Sequence, residues 1–153
     1  MTTTEFGSIE REIHVDASPD IVFEVVSKPE HVAQWWSDDA RFEARAGATG
    51  ELEWGDGAQV TAITVVDVDP PRLFSFRWCA PEGDAADESN SLLVTFELTA
   101  VDGGTRIRLV ETGFREMGWE AAKLEAEYLD HSNGWSKFVP DLGTYVTGLV
   151  AAK

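Results

Sequence analysis

Glu111 is the first residue in this chain whose type and setting can do chemistry. It shares strand parity with Ile107 and Leu109, so an alternating strand turns it toward the apolar face close to the strand's end. An inward carboxylate there can orient a polar group or, with burial disfavouring its charged form, act as an acid or base. The blander role is a place at a cavity mouth, or pairing with Arg77 or another cation. Glu111 is therefore a weak catalytic candidate, and no other residue qualifies. His14 has the outward parity of its strand, His31 falls in a short helix, and His131 precedes an expected break at Ser132-Asn133-Gly134. No His-x-x-x-His or carboxylate-histidine spacing unites them, so surface roles are expected for all three, with no metal and no cofactor. Cys79 is the single cysteine and has no cationic neighbour in sequence to favour a thiolate. An internal disulfide is excluded. There is no nucleophile elbow. Gly47, Gly50, Gly55 and Gly57 precede no helix that would complete a phosphate cradle.

The elements that must position Glu111 follow from periodicity. Ser8 to Val15 alternates, with Ile9, Ile13 and Val15 on one side; Arg11 shares that side and spoils it. Ser18 caps a helix that has Pro19 at its first position and Ile21, Val22, Phe23, Val25 and Val26 on a wide apolar face. Ser27-Lys28-Pro29-Glu30 reads as a capping box for a second short helix, ending at Gln34-Trp35-Trp36. Strands and turns follow. Phe42 to Arg45 and Glu51 to Trp54 are short candidates, Asp56-Gly57 is a hairpin turn, and Gln59 to Val68 is a long β-branched run. Leu73 to Cys79 alternates Phe74, Phe76 and Trp78 against Ser75 and Arg77. Pro81 to Asn90 is an acidic loop. Leu92, Val94, Phe96 and Leu98 form the inner face of the next strand, and Thr105 to Thr112 completes the set.

Met117, Ala121, Leu124 and Tyr128 recur at helical steps before the expected break. From Gly134 to Ala152 the stripe Trp135, Phe138, Leu142, Tyr145 with Val146, and Leu149 predicts a final helix. At about 1.5 Å per residue it spans roughly 28 Å, enough to cross a small domain. The order is α+β, a curved antiparallel sheet of about six to seven strands around a long C-terminal helix. Two short helices follow the first strand.

The chain has 153 residues, 28 acidic against 12 basic, and a formal net charge of −16. One domain over residues 1–153 is expected. Such a field repels phosphate backbones and anionic surfaces, which argues against nucleic acid and membrane as partners. It solubilises the protein or forms an acidic docking face. Met1 to Phe6 lacks the basic start and apolar run of a signal peptide, and no apolar run reaches membrane-spanning length. With one unpaired cysteine, this points to the cytoplasm.

Seven landmarks stand in register: Asp16-Ala17-Ser18-Pro19 with Val22-Phe23; Gln34-Trp35-Trp36; Val68-Asp69-Pro70-Pro71-Arg72-Leu73; Phe76-Arg77-Trp78; Gly104-Thr105-Arg106; Glu111-Thr112-Gly113-Phe114; and Gly134-Trp135. In this order, from about residue 8 onward, the chain resembles the helix-grip proteins of the START-like (SRPBCC) superfamily. The branch it is most similar to is the one related to the C-terminal domain of the activator of heat-shock protein 90 ATPase. The separate N-terminal domain of that activator is not expected here. Pro140 departs from the pattern, since it cannot donate to the Ser136 carbonyl and predicts a kink or local opening.

The resemblance implies a ligand cavity between sheet and final helix. By parity, Trp36, Trp54, Phe76, Trp78, Glu111, Phe114, Trp135 and Phe138 are the candidates to line it. Phe74 and Phe96 fit the same parity but are assigned to filling the core. The leading expectation is binding of a small apolar or amphipathic molecule. The alternatives are an adaptor that modulates a heat-shock protein 90-type chaperone, and a cyclase- or hydratase-type enzyme using Glu111. Either a monomer or a homodimer is compatible with the exposed edge at Ser8 to Val15.

Overall fold

The computed structural model describes residues 6–81 and 83–151. The N-terminal stretch read for a signal peptide, apart from Phe6, lies outside them, as do Glu82 of the acidic loop and Ala152 at the expected helix end. Strand β1 (Ser8–Val15) is followed by α1 (Pro19–Ser27) and α2 (Pro29–Trp35). Then come β2 (Asp39–Arg41), β3 (Thr49–Trp54), β4 (Gln59–Asp69), β5 (Leu73–Trp78), β6 (Leu92–Val101) and β7 (Gly104–Thr112). A single 3-10 turn at Arg115–Met117 leads into α3 (Ala121–Ala151). The sheet is antiparallel throughout, in the order β1-β7-β6-β5-β4-β3-β2. It curves around α3, with α1 and α2 closing one end.

Parity decides which face each strand buries. On β6, Leu92, Val94, Phe96 and Leu98 are buried; on β7, Thr105, Ile107, Leu109 and Glu111 are buried, while Arg106 is exposed and Arg108 only half-buried. Helix α1 contributes Val22, Phe23, Val25 and Val26, and α3 contributes Trp135, Val139, Leu142 and Val146. These side chains form one continuous core. Phe138, Tyr145 and Leu149 of the expected stripe flank the buried line as partly covered residues.

Five local expectations are corrected. Phe42 to Arg45 is irregular, and the strand that pairs with β3 is Asp39–Arg41, held in register by Arg41 bridging Asp39, Glu51 and Glu53. The capping box at Ser27 does not form. Ser27 is the last residue of α1, and its buried hydroxyl donates to the Phe23 carbonyl at 2.6 Å. Lys28 then stands at the N-cap of α2 with no side-chain cap. The break at Ser132-Asn133-Gly134 is absent, because α3 is one helix of 31 residues. Tertiary packing overrides the local preferences of these three residues. Arg11, on the inward side of β1, donates to the Ser132 carbonyl at 3.0 Å and to the hydroxyls of Ser132 and Ser136 at 2.8 and 3.1 Å. Arg11 is thus a tie to α3 rather than a defect in the strand. Met117, read as helical, sits in the 3-10 turn ahead of α3.

Helix α3 also runs on through Pro140. The missing N–H still leaves the Ser136 carbonyl without its usual donor, on a residue that faces solvent. Gly143 has a packing reason to be glycine, since a Cβ there would lie 3.2 Å from Ile13 Cδ1 and 3.7 Å from Val15 Cγ1. The helix can therefore press closely onto β1. Replacing Pro140 by Ala restores the N–H without adding bulk. It is expected to raise unfolding free energy by about 1–3 kcal/mol, as measured by urea denaturation; an unchanged or lower value would show that the chain is fitted to the proline.

Candidate functional site

The end of β7 brings Glu111 against β5 and α3, where its side chain is completely buried. One carboxylate oxygen accepts from Trp78 Nε1 at 2.7 Å and the other from Trp135 Nε1 at 2.8 Å. His131 Nδ1 lies 3.0 Å from both oxygens. A carboxylate only accepts, so Nδ1 carries a hydrogen in the neutral ring and in the imidazolium alike. Arg77, the partner considered from sequence, instead donates to the Ser91 carbonyl at 3.4 Å. Three N–H groups from three positions thus converge on one buried charge, the arrangement that makes burying it tolerable.

His131 is the residue that sequence reasoning misplaced. It was expected at the surface, yet its side chain is 9% exposed. Its ring is tilted against Trp78 at 5.3 Å and stands edge-on to Phe114 at 5.4 Å between centroids. Burial alone would lower its pKa. The hydrogen bond and charge of Glu111, with the charges of Asp130 and Glu127, outweigh that and hold it above its ordinary 6.5. His31 is also engaged, with Nδ1 2.7 Å from the Tyr145 hydroxyl, joining α2 to α3. His14 remains near the surface, 3.7 Å from Asp16.

In front of this cluster lies a cavity of about 300 Å³, at the small end of the range for ligand sites. Trp36, Trp54, Trp78, Trp135 and Phe138 line it. Trp36 is the hub, with ring centroids 4.9 Å from Trp78, 5.1 Å from Trp135 and 5.5 Å from Trp54. Trp54 Nε1 donates to the Trp36 carbonyl at 3.1 Å, which fixes the β3 side of the wall. The polar part of the wall is His131, Asp130, Gln59 and Thr61, with Cys79 between them. Three residues expected from parity to line the cavity stand behind the wall instead. Glu111 is sealed under the two tryptophans and His131, Phe114 backs His131, and Phe76 packs behind Trp36 at 5.7 Å.

Cys79 has a left-handed φ of 66°, and its N–H donates to Thr61 Oγ1 at 3.3 Å. That conformation is costly for a residue with a Cβ. Burial, then the charges of Glu111, Glu127 and Asp130, push its thiol well above 9.0. It is a protonated, weakly nucleophilic group. Among the described residues no three of His, Cys, Asp and Glu gather into a metal-binding group. No described helix is long and apolar enough to cross a membrane.

The comparisons agree with this architecture. The family model described as Activator of Hsp90 ATPase homolog 1-like protein matches residues 16–147. Protein MLL2253 from Mesorhizobium loti superposes with a TM-score of 0.76 at 20% identity, over 91% of this chain and 96% of its own. The Aha1 dimer from Colwellia psychrerythraea gives 0.72 at 17% identity, over 92% and 96%. DynU16, from the dynemicin biosynthetic locus, gives 0.72 at 26% identity over 92% of this chain. The match spans 47% of DynU16. No curated protein sequence matches the chain. The fold is the START-like helix grip.

Because folding raises the His131 pKa, the folded state holds its proton more tightly than the unfolded chain does. The stability this contributes is complete below about 6.5 and is lost as pH rises through the folded value. Urea denaturation between pH 6 and 8 is expected to show unfolding free energy falling with pH. Replacing Glu111 by Gln should flatten that slope, and should cost roughly 1–3 kcal/mol at pH 6 for a buried donor left unpaired. A slope that survives in the variant would assign it to another group.

Proposed function

The chain belongs to the Activator of Hsp90 ATPase homolog 1-like family, and we propose from this that it binds a small, flat, apolar or amphipathic molecule in the tryptophan-lined cavity. The observation that carries the reading is the wall of four indoles and Phe138 around about 300 Å³ of space. Indole faces supply stacking and apolar area at little cost in side-chain freedom. Trp36, Trp54, Trp78, Trp135 and Phe138 make contact with the ligand in this reading. Glu111, Phe114 and Phe76 hold those side chains in place from behind. An enzyme in which Glu111 itself gives or takes a proton is less favoured, because both its oxygens are occupied by protein donors.

The family description favours one other reading, modulation of a heat-shock protein 90-type ATPase through the acidic surface. Its test is a pull-down at physiological salt with the purified chaperone, and recovery of none would remove its support.

For the leading reading, native mass spectrometry followed by thermal shifts against planar apolar compounds is the direct measurement. Stabilisation should grow with ligand concentration, as binding to the folded state requires. Replacing Phe138, partly buried at the cavity wall, by Ala should weaken that binding about tenfold, the size of a lost aromatic stack with its buried area. The melting temperature without ligand should move by only a few degrees. An unchanged affinity would place the ligand elsewhere.

A further inference from the structure

The imidazole of His131 is one of the polar groups of the wall that the pocket reading leaves unused, and the one held by a buried carboxylate. Its Nδ1 is committed to Glu111, and its ring is fixed by Trp78 and Phe114. The two ring nitrogens point in diverging directions, so Nδ1 aimed at the buried carboxylate turns Nε2 away from it. Nε2 has no hydrogen-bond partner among the described residues, and the residue lines the cavity. Beside the aromatic rings, the wall thus presents one imidazole whose orientation is fixed from behind.

We infer that His131 Nε2 is the polar anchor of the cavity, and that the molecule it selects is flat, uncharged and carries a carbonyl oxygen. This rests on the pocket reading above. The protonation states decide the oxygen type. With Nδ1–H always directed to Glu111, the neutral ring shows the cavity a lone pair, and the imidazolium shows it an N–H. Below the His131 pKa the anchor is a charged donor, which an in-plane carbonyl lone pair satisfies well.

The surroundings decide the charge. Glu111 on β7 neutralises the imidazolium. Asp130 on the wall and Glu127, both from α3, oppose an anion, and the Cys79 thiol beyond β5 is uncharged. A cationic donor would meet the imidazolium N–H, itself a donor, at the anchor. A neutral acceptor meets none of these penalties, and flatness follows from the indoles. The ligand class is planar aromatic ketones and related ring carbonyl compounds.

The test uses matched pairs that differ in one oxygen, 9-fluorenone with fluorene and 1-tetralone with tetralin, titrated into the full chain. At pH 6 each ketone should bind at least about tenfold more tightly than its hydrocarbon, the effect of a hydrogen bond to a charged donor. Raising the pH through the His131 titration should lower ketone affinity and leave hydrocarbon affinity unchanged. His131→Phe keeps the ring packing and should abolish the preference, bringing the ratio of ketone to hydrocarbon affinity to about one. Equal binding of ketone and hydrocarbon in the unmodified protein overturns the anchor and leaves the pocket reading standing. Binding of neither member of either pair defeats the pocket reading and this inference with it. Should His131→Phe fail to fold, ¹⁵N-imidazole spectra of the unmodified protein decide the matter. The Nε2 resonance must move with the ketone and not with the hydrocarbon, and a stationary Nε2 overturns the anchor.

Discussion

A carboxylate with no solvent contact survives only where donors replace its water, and in this protein the donors come from three places in the fold. Trp78 ends β5, while His131 and Trp135 lie one turn apart on α3, and all three reach Glu111 at the end of β7. Leaving such a charge unpaired in the interior costs several kcal/mol. The positions of β5, β7 and α3 are therefore coupled through one side chain. Apolar packing alone would let α3 slide or rotate on the sheet, because it is not directional. The three hydrogen bonds remove that freedom at the point where the cavity begins.

The cavity is a consequence of the same constraint. Trp78 and Trp135 each spend their single polar atom on Glu111, which fixes the edge of each indole and leaves its apolar surface to the cavity and to Trp36. Trp36 in turn is fixed through its own carbonyl, which accepts from Trp54 Nε1. Each indole N–H of the wall for which a partner is seen is thus turned toward protein, and the wall shows apolar rings beside the polar part made by His131, Asp130, Gln59 and Thr61. Rigid rings tied at their edges cannot readily collapse onto one another. A pocket of about 300 Å³ therefore remains between these rings, opening toward the surface.

Much of this was legible in the sequence, because strand parity is a two-residue rule read from types alone. It gave the inward face of β5, β6 and β7, including Glu111, and the family resemblance supplied the wrap around the last helix. The partners of Glu111 were not legible, and the reason is local. Ser132, Asn133 and Gly134 each disfavour a helix interior, and reading them as a break severed His131 from Trp135. On an unbroken helix Leu124, Tyr128, His131, Trp135, Phe138 and Leu142 fall at steps of three and four along a single stripe. That continuity was the missing signal. It is restored by contacts no local rule contains, with Arg11 capping the serines from β1 and the Tyr128 hydroxyl donating to the Ser8 carbonyl at 2.8 Å.

The same reasoning explains why a residue behind the wall matters more than its position implies. A histidine alone at an apolar cavity would be neutral and free to take either tautomer, so its polarity toward a ligand would be undefined. With Glu111 fixed by two indoles, Nδ1 is held to the carboxylate, and whatever changes at His131 happens at Nε2. The strongly acidic composition adds to this locally, since Asp130 and Glu127 favour the imidazolium without touching Glu111. A structural tie between sheet and helix thereby also defines the chemistry of the cavity. Placing the carboxylate in the cavity instead would have surrendered that control, because its donors would then compete with every ligand that entered.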